Sequence, residues 1–253
     1  MHPGSIPGEA SIGCLPSLAA ERDRRKRVIT MAYSYDELRQ TMVDSQIRTT
    51  DVTNLRVVEA FLTVPRDAFV SDQRKPFAYI DDDIEISGPT AETRRFLMEP
   101  SPFAKLVQLA DVQPGDLVLD IGCGTGYSSA VLSLLGNAVI ALESDAELAD
   151  RASEILLENG FDNVAVVTGS LDAGYAAEGP YDVIFVGGSV DSVPETLFDQ
   201  LKDGGRLVVV EGHGLGGFAT LYIKDGAYVS GRKAFNLSVK ALPGFERKLE
   251  FSF

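Results

Sequence analysis

Between residues 117 and 211, short runs of Val, Ile and Leu alternate with segments of helical period. Nothing else in the 253 residues restricts the fold as tightly. The pattern predicts strands at LVLDI (117–121), AVIAL (138–142), NVAVVT (163–168), YDVIFV (181–186) and GRLVVVE (205–211). Helices are expected between them at 126–135, at 145–159 with Gly160 closing its C-terminus, and at 194–201. Nearly continuous aliphatic runs suit strands buried on both faces, which predicts an α/β fold with a mostly parallel, doubly wound sheet. No helical pattern separates ATLYIK (219–224) from RKLEFSF (247–253), so these two predict an antiparallel C-terminal edge. Upstream, Ser34 to Glu37 forms a capping box opening a helix to about residue 48. Further helices are expected at 54–63 and 101–110, giving an N-terminal helical appendage.

Residues 1–30 have no periodicity and end in the basic cluster Arg22, Arg24, Arg25, Lys26, Arg27, so they are expected to be a flexible tail or a leader. Residues 31–253 are expected to be a single domain. With 37 acidic and 23 basic side chains the chain carries −14, and the five basic and three acidic residues of 1–30 leave −16 on the remainder. That sign disfavours nucleic acid, whose binding requires a Lys/Arg excess, and an anionic membrane surface. The longest nearly apolar stretch, 130–142, is interrupted by Gly136 and Asn137 and falls short of the ~20 residues that span a bilayer. Cys14 and Cys123 are too few for a disulfide framework, so a reducing, cytoplasmic compartment is expected. His2 and His213 cannot build a His-rich zinc site, and no metal is expected. The run Asp81, Asp82, Asp83, Glu85 reads most simply as a solvated face.

The chemistry gathers after the first predicted strand of the core, in Asp120-Ile-Gly122-Cys-Gly124-Thr-Gly126-Tyr127. Alternating glycines let the backbone turn tightly and approach a ligand, while the following helix offers free N–H groups. Pyrophosphate loops read G-x-G-x-x-G. Here the spacing is G-x-G-x-G with Asp120 two residues ahead, which argues for a cationic or hydroxyl-bearing ligand instead of a phosphate. Glu143 ends the second strand, 17 positions after Gly126, where a carboxylate can accept both hydroxyls of a ribose. Cys123 reads as a small packed side chain and His213, between Gly212 and Gly214, as a loop residue.

This loop and acid resemble those of Rossmann-like S-adenosylmethionine-dependent methyltransferases. From about Val43 to Gly212 the chain resembles the protein-L-isoaspartate O-methyltransferase family more narrowly, through Val64-Pro65-Arg66-Asp67-Ala68-Phe69-Val70, Ala78-Tyr79, the DIGCGTGY loop, Pro180-Tyr181-Asp182 and Gln200 to Val208. The resemblance implies a Rossmann-like methyltransferase fold, with N-terminal helices and a substrate loop in 31–112 and a cofactor-binding core in 113–253. It implies S-adenosylmethionine as cofactor, held by Asp120, Gly122, Gly124, Gly126, Tyr127, Glu143, Ser144, Ser170 and Leu171. The implied partners are proteins or peptides containing isoaspartyl residues, whose carboxylate is methylated in protein repair.

Two segments depart from the family. Where it has Gly-Gln-Thr-Ile-Ser-Gln-Pro, this chain reads Arg94-Arg95-Phe96-Leu97-Met98-Glu99-Pro100, so the Thr and Ser are Phe96 and Met98. Where it has Gly-Asp-Gly, this chain has Gly169-Ser170-Leu171. Methyl transfer to a carboxylate is an in-line displacement, and a carboxylate with a pKa near 4 is already a nucleophile at neutral pH. Alignment of the reacting atoms therefore matters more than a general base, and no catalytic His is required. Arg94, Arg95 and Glu99 are the candidate substrate-loop residues, the arginines as bidentate clamps for a carboxylate. A different methyl acceptor, or a non-catalytic S-adenosylmethionine-binding module, are the alternatives that Phe96 and Met98 leave open.

Overall fold

The computed structural model describes Met1 and residues 34–246 except 90 and 92, and for 215 the backbone alone. The expected tail and the expected strand at 247–253 lie outside the described residues. Helix α1 (Tyr35–Met42) runs on into a π-helical turn at Val43–Ile47, and α2 (Leu55–Thr63) begins at Asn54, whose side chain accepts from the N–H groups of Arg56 and Val57. A two-stranded hairpin, β1 (Ile84–Glu85) and β2 (Phe96–Leu97), leads into α3 (Pro100–Ala110).

The core follows as β3 (Leu117–Ile121), α4 (Tyr127–Ser133), β4 (Ala138–Glu143), α5 (Ala146–Glu158), β5 (Val164–Thr168), β6 (Tyr181–Val190), α6 (Glu195–Asp199), β7 (Leu201–Glu211), β8 (Phe218–Asp225) and β9 (Tyr228–Asn236). The sheet order is β5-β4-β3-β6-β7-β8-β9. All pairs up to β6–β7 are parallel, and β7–β8 and β8–β9 are antiparallel. An antiparallel edge is therefore present, but its outer strand is 228–236, a stretch whose mixed, exposed side chains carry no aliphatic run to announce a strand. Asp145 caps α5 by accepting from Glu147 N and Leu148 N, and Gly160 takes a left-handed conformation just beyond its end.

Strand alternation divides the core in two. Val118, Val139, Val183, Phe185, Val208 and Val210 face a large cluster that includes residues from α1 to α5. Leu119, Ile121, Ile140, Leu142, Ile184, Val186 and Leu207 face a smaller one, closed by Leu197 of α6 and by Leu171, Leu242 and Phe245. One face of the sheet thus carries most of the helical mass, while irregular chain and a five-residue helix cover the other. The chain leaves β3 towards β4 and β5 and returns to β6 on the other flank, so strand order reverses at β3/β6. Open α/β sheets bind ligands beyond the carboxyl ends of the strands at such a reversal.

Candidate active site

The family-like motifs of the N-terminal half turn out to hold one another. Arg66 is fully buried: Nε donates to Ala78 O (2.8 Å), Nη2 donates to Met98 O (2.8 Å), and the guanidinium lies 4.9 Å from the centre of the Tyr127 ring. Tyr79 donates to Asp67 at 2.5 Å. Val-Pro-Arg and Ala-Tyr therefore fix the segment carrying Met98 against the first residue of α4, beside the glycine loop.

At the β3/β6 reversal, Gly122, Gly124 and Gly126 adopt φ of 83°, 58° and 94°. A β-carbon on Gly124 would stand 2.5 Å from Ile86 Cδ1, and one on Gly122 would stand 2.7 Å from Leu242 Cδ2 and 3.2 Å from Arg95 Nη2. The positive φ favours glycine at all three, and a side chain at Gly122 or Gly124 would also have to push aside the tips of Leu242 or Ile86. Asp120 is buried beneath the loop. Its Oδ2 accepts from Ser128 Oγ and Ser129 Oγ, each at 2.6 Å, whereas Oδ1 has no partner. Burial drives its pKa up to about 6, with Glu143 adding to the rise and the two serines and Arg95 opposing it.

Glu143 has no exposed surface. Oε2 accepts from Gly124 N (2.8 Å), and Oε1 accepts from Ser144 N (2.7 Å) and Asp145 N (3.1 Å). Oε1 also holds Nη1 of Arg95, which is only 5 % exposed and donates through Nη2 to Gly122 O at 3.1 Å. Of the three substrate-loop candidates, Arg95 alone enters this cluster. Arg94 is exposed and paired with Glu85 through both guanidinium nitrogens, at 2.8 and 2.5 Å. Glu99 sits instead beside the acidic run, where burial first and then Asp81, Asp83 and Asp82 raise its pKa. That run is not all solvated, since Asp83 is partly buried and accepts from Glu99 N at 2.9 Å.

A cavity of about 30 Å³ lies between Gly122-Cys123 and Phe185-Gly187, walled by Ile86, Phe96, Leu97, Met98, Phe103 and Tyr127. Both residues that replace family hydroxyls line it. Cys123 is buried and its thiol pKa is pushed up by burial, in keeping with packing and not nucleophilicity. Leu171 is buried in the smaller cluster, and the exposed Ser170 bonds through Oγ to Asp172, so a carboxylate does stand at this turn, two residues later than in the family pattern. His213, in the loop after β7, pairs with Asp191, which follows β6. Sequence reasoning missed Ile86, Leu242 and Lys240, which carry no local signal. It also missed Ser128 and Ser129, whose hydroxyls directly after Tyr127 could have been read as partners for Asp120. Among the described residues no group of His, Cys, Asp and Glu could hold a metal, and no helix is long and apolar enough to cross a membrane.

A parallel sheet with G-x-G-x-G after one strand and a buried acid ending the next defines a Rossmann-like S-adenosylmethionine-dependent methyltransferase. The donor set suits that cofactor, for Asp120 Oδ1 is a buried acceptor without a partner and the loop glycines carry no side chain between their backbone and a ligand. Comparison with known proteins agrees. Residues 37–234 match the family model described as protein-L-isoaspartate(D-aspartate) O-methyltransferase. The chain is 38 % identical over 174 residues to the protein-L-isoaspartate O-methyltransferase of Koribacter versatilis, covering 69 % of this chain and 76 % of that one. It is 37 % identical over 182 residues to protein-L-isoaspartate O-methyltransferase 2 of Archaeoglobus fulgidus, covering 70 % and 80 %. A solved protein-L-isoaspartate O-methyltransferase superposes with a TM-score of 0.72 at 29 % identity, over 83 % of this chain and 66 % of that one. A Plasmodium falciparum chain solved with S-adenosyl-L-homocysteine shares the fold, with a TM-score of 0.67 at 19 % identity over 82 % and 97 %. The chain belongs to the protein-L-isoaspartate O-methyltransferase family.

Proposed function

We propose that this chain methylates the free carboxylate of isoaspartyl residues, with the acceptor entering at the Phe96–Met98 cavity and the cofactor held along the glycine loop. Asp120, Gly122, Gly124, Gly126, Tyr127, Glu143 and Ser144 are the cofactor-binding residues in this reading, and Ser170 and Leu171 border them. S-adenosylmethionine supplies an electrophilic methyl group on a sulfonium. The chain's own residues bind and orient, because an ionised carboxylate needs no base.

The observation that carries the acceptor is the charge around the cavity. In a chain of −14, cations gather at its rim: Arg94 lies 5.3 Å and Lys240 5.2 Å from the centre of the Phe96 ring, and Arg95 lies against Gly122. Each of them faces a carboxylate, Arg94 with Glu85, Arg95 with Glu143 and Lys240 with Asp83 at 3.9 Å, so an anionic acceptor gains from them by exchanging its own carboxylate for one of these partners. Phe96 and Met98 then provide an apolar wall that excludes water, in place of hydroxyls that would hydrogen-bond the acceptor.

Methyl transfer to an isoaspartyl peptide, with the aspartyl isomer as control, tests the proposal. Transfer to the isoaspartyl peptide alone is expected, and inertness of both peptides would refute it. Calorimetry is expected to show S-adenosylmethionine binding that is much weaker in Glu143→Ala. The pair Phe96→Thr with Met98→Ser reports whether the missing hydroxyls limit the rate.

A further inference from the structure

Arg95 stands where the cofactor's own contacts are needed. Its guanidinium occupies Glu143 Oε1, which also accepts two backbone N–H groups and the Ser144 hydroxyl at 3.3 Å, while Oε2 has accepted only Gly124 N. A ribose diol needs an acceptor position on each carboxylate oxygen. With Arg95 in place Oε1 is crowded by four donors, and of these the guanidinium and the Ser144 hydroxyl are the side-chain groups that can move aside for a second ribose hydroxyl, so the arginine and the diol compete for the same atom. Arg95 Nη2 and Ile86 Cδ1 also fill the space into which side chains on Gly122 and Gly124 would point, so that side of the loop is covered by the residues that join β1 to β2.

Displacing Arg95 has a consequence. A buried guanidinium stripped of its carboxylate is costly, and the cost disappears if another carboxylate takes its place. The guanidinium already lies against Gly122, which walls the acceptor cavity, and Arg95 directly precedes Phe96, which lines it. Arg94 cannot take this part, being exposed and held by Glu85.

We propose that Arg95 is the positioning residue for the acceptor's carboxylate and that Glu143 holds it in reserve. Binding of the cofactor ribose at Glu143 frees the guanidinium, which then clamps the isoaspartyl carboxylate in a bidentate fashion. The two ligands therefore bind with positive coupling, which is reciprocal between them. This rests on the isoaspartyl acceptor and adds to it an order: cofactor first, peptide second.

Calorimetry with S-adenosylhomocysteine and an isoaspartyl peptide tests the proposal on wild type, Arg95→Gln and Arg95→Lys, each checked for a cooperative melt. Arg95→Gln is expected to bind S-adenosylhomocysteine about tenfold more tightly, because the competitor for Glu143 is weakened. Peptide binding to wild type is expected to strengthen by about tenfold or more when S-adenosylhomocysteine is present, and this coupling should vanish in Arg95→Gln. Arg95→Lys keeps the charge without the planar fork, so it is expected to restore only part of the peptide affinity. Weaker cofactor binding in both variants would mean that Arg95 merely braces Glu143 and would overturn the proposal. Peptide affinity indifferent to S-adenosylhomocysteine would overturn it as well. If wild type binds no peptide under any condition while Arg95→Gln still tightens the cofactor, the isoaspartyl acceptor fails and the competition at Glu143 stands.

Discussion

Asp120 offers the sharpest physical test, because the fold keeps it at a disadvantage. It is fully buried, one carboxylate oxygen has no partner, and its pKa is pushed up from 3.8 to about 6. A carboxyl whose folded-state pKa lies above its unfolded one binds its proton more tightly in the native state. Its ionisation therefore penalises the fold fully above pH 6, and the penalty fades as the pH falls from 6 towards 3.8. About two pH units at ~1.4 kcal/mol each give about 3 kcal/mol at pH 8 and roughly half of that at pH 5. Asp120→Asn keeps an oxygen to accept from Ser128 and Ser129 but removes the charge. Urea denaturation of both proteins from pH 5 to pH 8 isolates the effect, since carboxylates not coupled to Asp120 cancel in the difference and Glu143 is the coupled one. The variant is expected to be more stable by about 3 kcal/mol at pH 8, with the gap shrinking on acidification, and to lose cofactor affinity. A variant equally stable or less stable at pH 8, or a gap independent of pH, would refute the account of Asp120 as a charge kept for a ligand.

Other expectations follow from the same geometry. A sulfonium cofactor favours ionised Asp120, so its affinity is expected to fall by up to about tenfold per pH unit below pH 6, with proton release on binding visible by calorimetry in buffers of different ionisation enthalpy. Glu143→Gln leaves the Arg95 guanidinium buried without a counter-charge and is expected to cost about 3–5 kcal/mol in urea denaturation, partly recovered when Arg95→Gln is added. Gly124→Ala requires a non-glycine residue at φ 58° and displaces Ile86, which should cost about 1–3 kcal/mol and shift the melting temperature downward. Phe61 is fully buried, with ring centres 5.2 Å from Phe103 and 6.3 Å from Tyr127, so Phe61→Ala is expected to lose about 3–5 kcal/mol and to loosen the wall behind the cofactor loop.

Much of the framework was legible from local chemistry. The strand at 117–121 announces itself because an aliphatic run flanked by turn residues has few alternatives, and Asp145 and Gly160 mark the ends of α5 by capping rules alone. The edge strand 228–236 was not legible, since an exposed strand paired on one side needs no apolar pattern. Lys240, Leu242 and Ile86 were invisible for a different reason. Each lies in an unremarkable stretch; Ile86 and Leu242 gain a role only where distant segments meet over Gly124 and Gly122, and Lys240 only where it meets the Phe96 ring.

The sequence by itself determined the parallel core, the ligand loop with its two acids, and the family, because these depend on period, spacing and residue type along the chain. Tertiary structure alone decided the states of the charged side chains. Arg94 and Arg95 are neighbours in sequence just ahead of β2, yet one turns out to Glu85 and solvent and the other in to Glu143. Burial then makes Asp120 a strained acid and Arg95 a held cation, since the energy of a charge is set by the solvent and partners that the folded chain leaves around it.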